Sequence, residues 1–197
     1  MKEDKIKLLP PPINLDLYQN LKKEQSGLKR KLSLEDQKKH YLFVSTGHKN
    51  KGLGLLLKLF KSLDPNKHTL HIVGYPEVKT DLKNVRYEGY IKDPKSLNQW
   101  YAAVDFTIHP STYEAFGQVV TESLQSGTPV IISANVGSKY LVKDNYGLII
   151  DDFEPNTWKE KLENLNEKSF EIPENIGSSL RLDLKTHLDF ILNLAKT

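Results

Sequence analysis

The sequence predicts an α/β domain with a Rossmann-like parallel sheet and helices on both faces. Three observations carry this prediction. Short apolar runs alternate with helix-length segments along the chain, Gly or Pro punctuates the joints, and several runs are apolar almost without interruption, as strands covered on both faces must be. Parallel neighbours need right-handed crossovers, which the intervening helices supply. A length of 197 residues suits one such domain, and 38% hydrophobic with 27% charged residues is the balance of a packed globular chain.

Residues 1–14 contain Pro10-Pro11-Pro12, which cannot be helical, and read as a linker or edge segment ahead of a folded unit over residues 15–197. Residues 15–39 are polar with spaced leucines and predict one or two short helices around a break at Ser26-Gly27. Tyr41 to Thr46 predicts the first strand, followed by a glycine-containing turn and a helix from Leu53 to Leu63 that Asp64-Pro65 stops. Thr69 to Val73 and Val85 to Glu88 predict two more strands, ended by Gly74 and Gly89, then a helix from Pro94 to Ala103 and a strand from Asp105 to His109. A helix near Phe116 to Ser126, strands Pro129 to Ser133 and Gly147 to Ile150, and helices Pro155 to Asn166 and Ser178 to Ala195 complete the alternation. In such sheets ligands bind beyond the carboxyl ends of the strands, so the loops after Thr46 and His109 become the ones to inspect.

Composition excludes several function classes. The chain has no cysteine, which removes disulfides, thiolate metal sites and cysteine nucleophiles, and fits a reducing compartment. Its six histidines show no metal-binding spacing, so no metal is expected. Only Arg30, Arg86 and Arg181 accompany the lysines, and base reading leans on arginine, so no nucleic-acid partner is expected. No stretch is long and apolar enough to span a membrane, and the N-terminus lacks the apolar core of a secretory signal. The basic excess gathers in residues 1–40. It reads as a solvated charged helix, with peripheral contact to an anionic membrane as the second reading, so the expected location is the cytoplasm or the inner face of a membrane.

The loop Gly47-His48-Lys49-Asn50-Lys51-Gly52 opens a helix and offers backbone N–H groups and two lysines to a phosphate, but it lacks the spacing of a P-loop or of a dinucleotide fingerprint. More informative is the segment from His109 through Pro110-Ser111-Thr112-Tyr113-Glu114-Ala115-Phe116-Gly117 to Glu122 and on to Gly127-Thr128-Pro129-Val130-Ile131. Glu114 and Glu122 stand eight apart, about two helical turns, so both can face the strand ends. Spacing alone favours a solvated helix face, since exposed glutamate is common.

That string resembles the retaining family 4 (group 1) glycosyltransferases, whose signature is Pro-Ser, Glu-x-Phe-Gly, a second Glu completing E-x7-E, and Gly-x-Pro-Val-Ile. The likeness extends over nearly the whole chain, through Leu9-Pro-Pro-Pro-Ile-Asn14, Thr46 to Gly52, His71-Ile-Val-Gly74, Val85-Arg-Tyr-Glu-Gly89, Trp100 to Phe106 and Tyr146 to Asp151. It implies the C-terminal, donor-binding half of a GT-B fold. The partner it implies is an N-terminal acceptor-binding domain, in the same or a partner chain.

The resemblance also implies roles. Glu122 would accept from the ribose hydroxyls of a nucleotide diphosphate sugar, and Glu114 would bond a hydroxyl of the donor sugar beside the anomeric centre. The N–H groups of Phe116, Gly117, Gln118 and Val119 would bind sugar and diphosphate, with Gly47 in the phosphate loop. Lys51 would neutralise the leaving diphosphate without a metal ion or cofactor. The family usually carries an arginine in that loop, where this chain has His48, Lys49 and Asn50, so Lys49 is the nearest replacement. The base would rest by Gly74-Tyr75 and by Gly89, Tyr90 and Ile91, with His109 a structural residue rather than a base. A UDP-sugar is expected ahead of a GDP-sugar, and the acceptor class is a glycan or lipid-linked sugar. The alternative function is a stand-alone, non-catalytic nucleotide-sugar-binding module or a subunit of a split enzyme.

Overall fold

A computed structural model describes residues 9–74, 77, 80–167 and 170–194. Six strands form one sheet in the order β3-β2-β1-β4-β5-β6. They are β1 (Lys39–Val44), β2 (His68–Val73), β3 (Val85–Gly89), β4 (Phe106–His109), β5 (Val130–Ser133) and β6 (Gly147–Ile150), and every neighbouring pair is parallel. The order runs outward from β1 in one direction and then, from β4, in the other. The two carboxyl ends at this reversal therefore diverge and leave a crevice.

Helices cover both faces, as expected. On one face α2 (Leu53–Ser62) and α5 (Pro155–Glu163) close over Tyr41, Phe43, Ile72 and Ile108, with Trp158 fully buried. The other face is covered by α1 (Gln25–Lys31), α3 (Pro94–Ala103), α4 (Gln118–Gln125) and the short α6 (Ile176–Ser179). Asp93 starts α3 by accepting from the backbone N–H groups of Lys95 (3.3 Å) and Ser96 (3.0 Å), while Pro94 takes the first turn, where its missing N–H costs nothing.

The expected elements are present with three physical differences. First, α1 runs through Ser26-Gly27 instead of breaking there; Leu28 and Lys29 are buried on its inner side. Second, the last helical stretch is two helices, α6 and α7 (Leu184–Leu194), because the chain turns at Arg181, whose φ is +57°, to bury Leu182 completely. Asp183 then caps α7 by accepting from Thr186 N–H at 2.7 Å, and Ala195 lies outside the described residues. Third, β1 and β2 begin on the polar residues Lys39 and His68. The buried histidines of β1 and β2 find partners within the sheet: His68 Nδ1 lies 3.1 Å from the Tyr41 hydroxyl, and His71 bridges His40 (2.9 Å) and Glu88 (2.8 Å).

The basic N-terminal stretch is not wholly solvated. Lys29 pairs with Asp105 at 2.9 Å behind α1, and the Lys22 ammonium donates to the Val104 carbonyl at 2.9 Å. Burial lowers the Lys22 pKa to about 8. These contacts fasten the entering chain to the sheet, and Ile13 N–H donates to the Leu182 carbonyl (2.9 Å), placing the segment beside the start of α7.

Candidate functional site

Two loops leave the sheet at the strand-order reversal, one after β1 and one after β4, and they are bonded to each other. The Asn50 carbonyl accepts from Thr112 N–H (2.8 Å) and from the Ser111 hydroxyl (2.8 Å), while the Asn50 amide donates to the Tyr113 carbonyl (2.6 Å). Gly52 closes the contact. Its φ is +87°, and a Cβ there would stand 2.1 Å from the Pro110 carbonyl oxygen, so only glycine lets the loops approach this closely.

That approach sets Lys51 against Glu114. Their side chains form an ion pair on Glu114 Oε2, and each is largely buried. His109, the last residue of β4, lies 3.3 Å from the same oxygen through its Nε2. The hydrogen bond from His109, followed by that from Lys51, outweighs burial and holds the Glu114 carboxyl down at about 2. Its backbone is equally fixed, since Glu114 bridges Val136 in parallel fashion and its carbonyl accepts from Gly137 N–H at 2.9 Å. Gly117 follows with φ +91° and opens α4, whose first N–H groups take no side-chain cap. Sequence periodicity started this helix at Phe116; the left-handed glycine delays it to Gln118.

Glu122 enters the same cleft from α4 in different surroundings. Its Oε2 accepts from the Tyr101 hydroxyl at 2.8 Å, the Tyr18 phenol also favours its charged form, and among the described residues it has no cationic partner. Burial pushes its carboxyl up, with the two phenols opposing that shift. The Tyr18 and Tyr101 rings meet edge-on, 6.2 Å apart.

The cleft encloses about 610 Å³, a ligand-sized volume. Lys51, Glu114, Phe116, Gly117, Gln118, Val119, Glu122, Tyr90 and Ile91 all line it, as does Gly74. Gly47 and Lys49 do not: Gly47 turns the chain at φ +88°, and Lys49 is exposed in the 3₁₀ turn Lys49–Lys51. Tyr90 is 71% exposed at the rim, and Tyr75 lies outside the described residues. Sequence reasoning missed Tyr18, Tyr101 and the placement of His109 on Glu114. His109 carries a legible signal, because it ends a strand immediately before the Pro-Ser loop. Tyr18 carries none, since only the tertiary fold returns its segment to the cleft.

Among the described residues no cluster of three His, Asp or Glu side chains is arranged to hold a metal ion, and no helix is long and apolar enough to cross a membrane.

The sequence profile of the glycosyl transferases group 1 matches residues 24–182, which include the whole cleft after Tyr18. The chain belongs to that family. Similar curated proteins include a probable transglycosylase of Burkholderia thailandensis, 40% identical over 93 residues (47% of this chain, 24% of the relative). A D-inositol 3-phosphate glycosyltransferase of Xylanimonas cellulosilytica is 26% identical over 177 residues, 81% of this chain and 42% of that one. Among solved structures, the Anabaena protein HepE in complex with UDP and glucose superimposes with a TM-score of 0.75 at 20% identity, over 97% of this chain and 57% of that one. This glycosyl transferase chain thus spans less than half of those curated relatives and little more than half of that structure. At such low identity the superposition establishes the GT-B type of α/β fold and no more.

Proposed function

We propose that this chain is the donor-binding domain of a retaining, family 4 glycosyltransferase, which moves a sugar from a nucleotide diphosphate donor to a glycan or lipid-linked acceptor. The observation that carries the reading is the convergence of Glu114, Lys51 and Glu122 on one cleft at the strand-order reversal. Glu122 accepts from the ribose hydroxyls, using the capacity its phenol partners leave open. Backbone N–H groups at the start of α4 and the Lys51 ammonium take the diphosphate, where a helix N-terminus favours an anion. Lys51 leaves Glu114 to do so, and the Glu114 carboxylate bonds a hydroxyl of the donor sugar. Neutralising the leaving diphosphate is assigned to Lys51, with no cofactor in the scheme. Tyr90 and Ile91 form the edge on which the base rests, and HepE, which binds UDP, supports uridine ahead of guanosine.

The acceptor is held by an N-terminal companion domain, with residues 9–14 as the connecting segment. Two facts support this. The chain spans little more than half of HepE, and α7 presents Leu184, Leu188, Ile191 and Leu192 as a stripe 51–59% exposed, beside the segment entering at Ile13. A stripe at this spacing is the usual buried face of a helix. Retention follows from a front-face displacement in which the departing phosphate takes the acceptor proton, so no protein nucleophile is required. The protein works in the cytoplasm, where nucleotide sugars are its substrates.

Calorimetric titration with UDP, GDP, ADP and their glucose conjugates tests the reading. One nucleotide should bind, and Glu122→Ala should weaken it by about tenfold or more, the value of a lost charged hydrogen-bond pair. No binding by any of them, to this chain or to one that includes a companion domain, rejects it.

A further inference from the structure

Glu114 uses one carboxylate oxygen twice. Lys51 and His109 both bond Oε2, and Oε1 takes no hydrogen bond among the described residues. The two partners differ in what holds them. Lys51 sits on a four-carbon stem at the end of a 3₁₀ turn, a flexible mount for a point charge. His109 is the last residue of a central strand, 2% exposed, its ring stacked 6.2 Å from that of Phe43. When an anion draws Lys51 away, His109 is the partner that cannot follow.

The second observation concerns the other ring nitrogen. His109 Nδ1 is buried and has no hydrogen-bond partner among the described residues. An ionised carboxylate only accepts, so the contact to Glu114 requires the proton on Nε2. Nδ1 is then left as a buried, unsatisfied polar atom in either protonation state, which native interiors rarely tolerate. A leucine or phenylalanine would fill the space beside Phe43 without that cost. Among the described residues, the polar return for a histidine here is the bond to Glu114.

We infer that His109 is a positioning residue for sugar transfer: it holds Glu114 through Oε2 while Lys51 moves to the diphosphate, and so leaves Oε1 for a hydroxyl of the donor sugar. This rests on the donor-site reading above. It replaces the sequence-based expectation that His109 is merely structural. In the ligand-free site both partners keep Glu114 charged; in the donor complex His109 alone keeps its rotamer fixed. The low pKa of Glu114, whose largest cause is the His109 hydrogen bond, agrees with this division of labour.

The experiment has two arms on the whole chain. The first follows the Glu114 side-chain carboxyl by carbon-13 NMR across acid pH in the wild type, His109→Phe and His109→Gln, with folding checked by circular dichroism. His109→Phe should move the midpoint up toward that of an ordinary glutamate. His109→Gln, which keeps a donor at the Nε2 position, should restore the low value. An unchanged midpoint in His109→Phe overturns the inference. If the Phe variant does not fold, nitrogen-15 spectra of the wild-type ring decide, since a proton on Nδ1 alone is incompatible with donation to Glu114. The second arm compares UDP with UDP-glucose. In His109→Phe the ratio of UDP-glucose to UDP affinity should fall about tenfold, as for one lost charged hydrogen bond, and recover in His109→Gln. An unchanged ratio counts against a role at the sugar. If neither compound binds the wild type, the donor reading has failed, and the first arm still decides whether His109 positions Glu114.

Discussion

Glu114 and Glu122 share a helix-spaced motif and one cleft, yet their charges are controlled in opposite directions. Histidine and lysine hold Glu114 down at about 2, whereas burial without a cation raises Glu122. The signs lead to different pH behaviour. A depressed carboxyl stabilises the fold fully above its unfolded value of about 4.5, and that contribution is lost as pH falls toward 2; partial exposure of Glu114 makes it small. A raised carboxyl does the reverse, giving stability present below the unfolded value and lost as pH rises through the folded one. Two outcomes are expected. UDP affinity should weaken on acidification through the Glu122 range, above the ordinary glutamate value, while the protein is still folded and Glu114 still ionised. Glu122→Gln should raise thermal stability at neutral pH, because an amide escapes the burial penalty, while lowering UDP affinity about tenfold or more. Scanning fluorimetry and titration calorimetry on the same samples check both; a Gln variant that loses stability would show the carboxylate to be structural.

At the scale of elements, the site depends on how closely the loop before α2 meets the loop after β4. Gly52 and Gly54 are two residues apart, and sequence gives them the same composition signal. Gly52 has a left-handed backbone against Pro110, while Gly54 lies inside α2 with nothing within 4 Å of its missing Cβ. Gly52→Ala should therefore cost about 1–3 kcal/mol or more, since backbone strain and a clash with a carbonyl add. Gly54→Ala should be neutral or stabilising by up to about 1 kcal/mol, because alanine is the better helix former. Urea unfolding of the two variants measures the contrast. The Gly52 variant should also lose nucleotide affinity, since Lys51 is its neighbour, and equal stabilities would refute the close-approach argument.

For the whole molecule, the question is what covers α7. Four apolar residues at helical spacing are more than half exposed on this chain alone, a concentration that ordinarily marks an interface. Leu188→Glu with Ile191→Glu should leave the melting temperature of this chain within about 2 °C, as exposed substitutions do. In a chain that also carries the proposed companion domain, the same pair should separate the two domains' unfolding transitions and reduce sugar transfer. A single unchanged transition in differential scanning calorimetry would place the companion elsewhere.

The sequence by itself determined the class of fold and the order of its strands and helices along the chain, and its resemblance to the family singled out Glu114, Lys51 and Glu122 as candidates. The fold rests on local quantities, apolar periodicity with Gly and Pro at the joints, and the candidates rest on motifs each contained in one short passage, the two glutamates after β4 and Lys51 after β1. It also placed most elements within a residue or two, failing at Ser26-Gly27 and at residues 180–183, where burial of Leu28 and Leu182 overrides local propensity. Only the tertiary structure decided that Lys51 rests on Glu114 rather than in open solvent, that His109 shares its oxygen, and that Tyr18 reaches Glu122 from over a hundred residues away. Those contacts arise where β1 and β4 lie side by side and the entering segment folds back across the sheet. Pairings between residues far apart in the chain leave no periodic trace for a sequence to show.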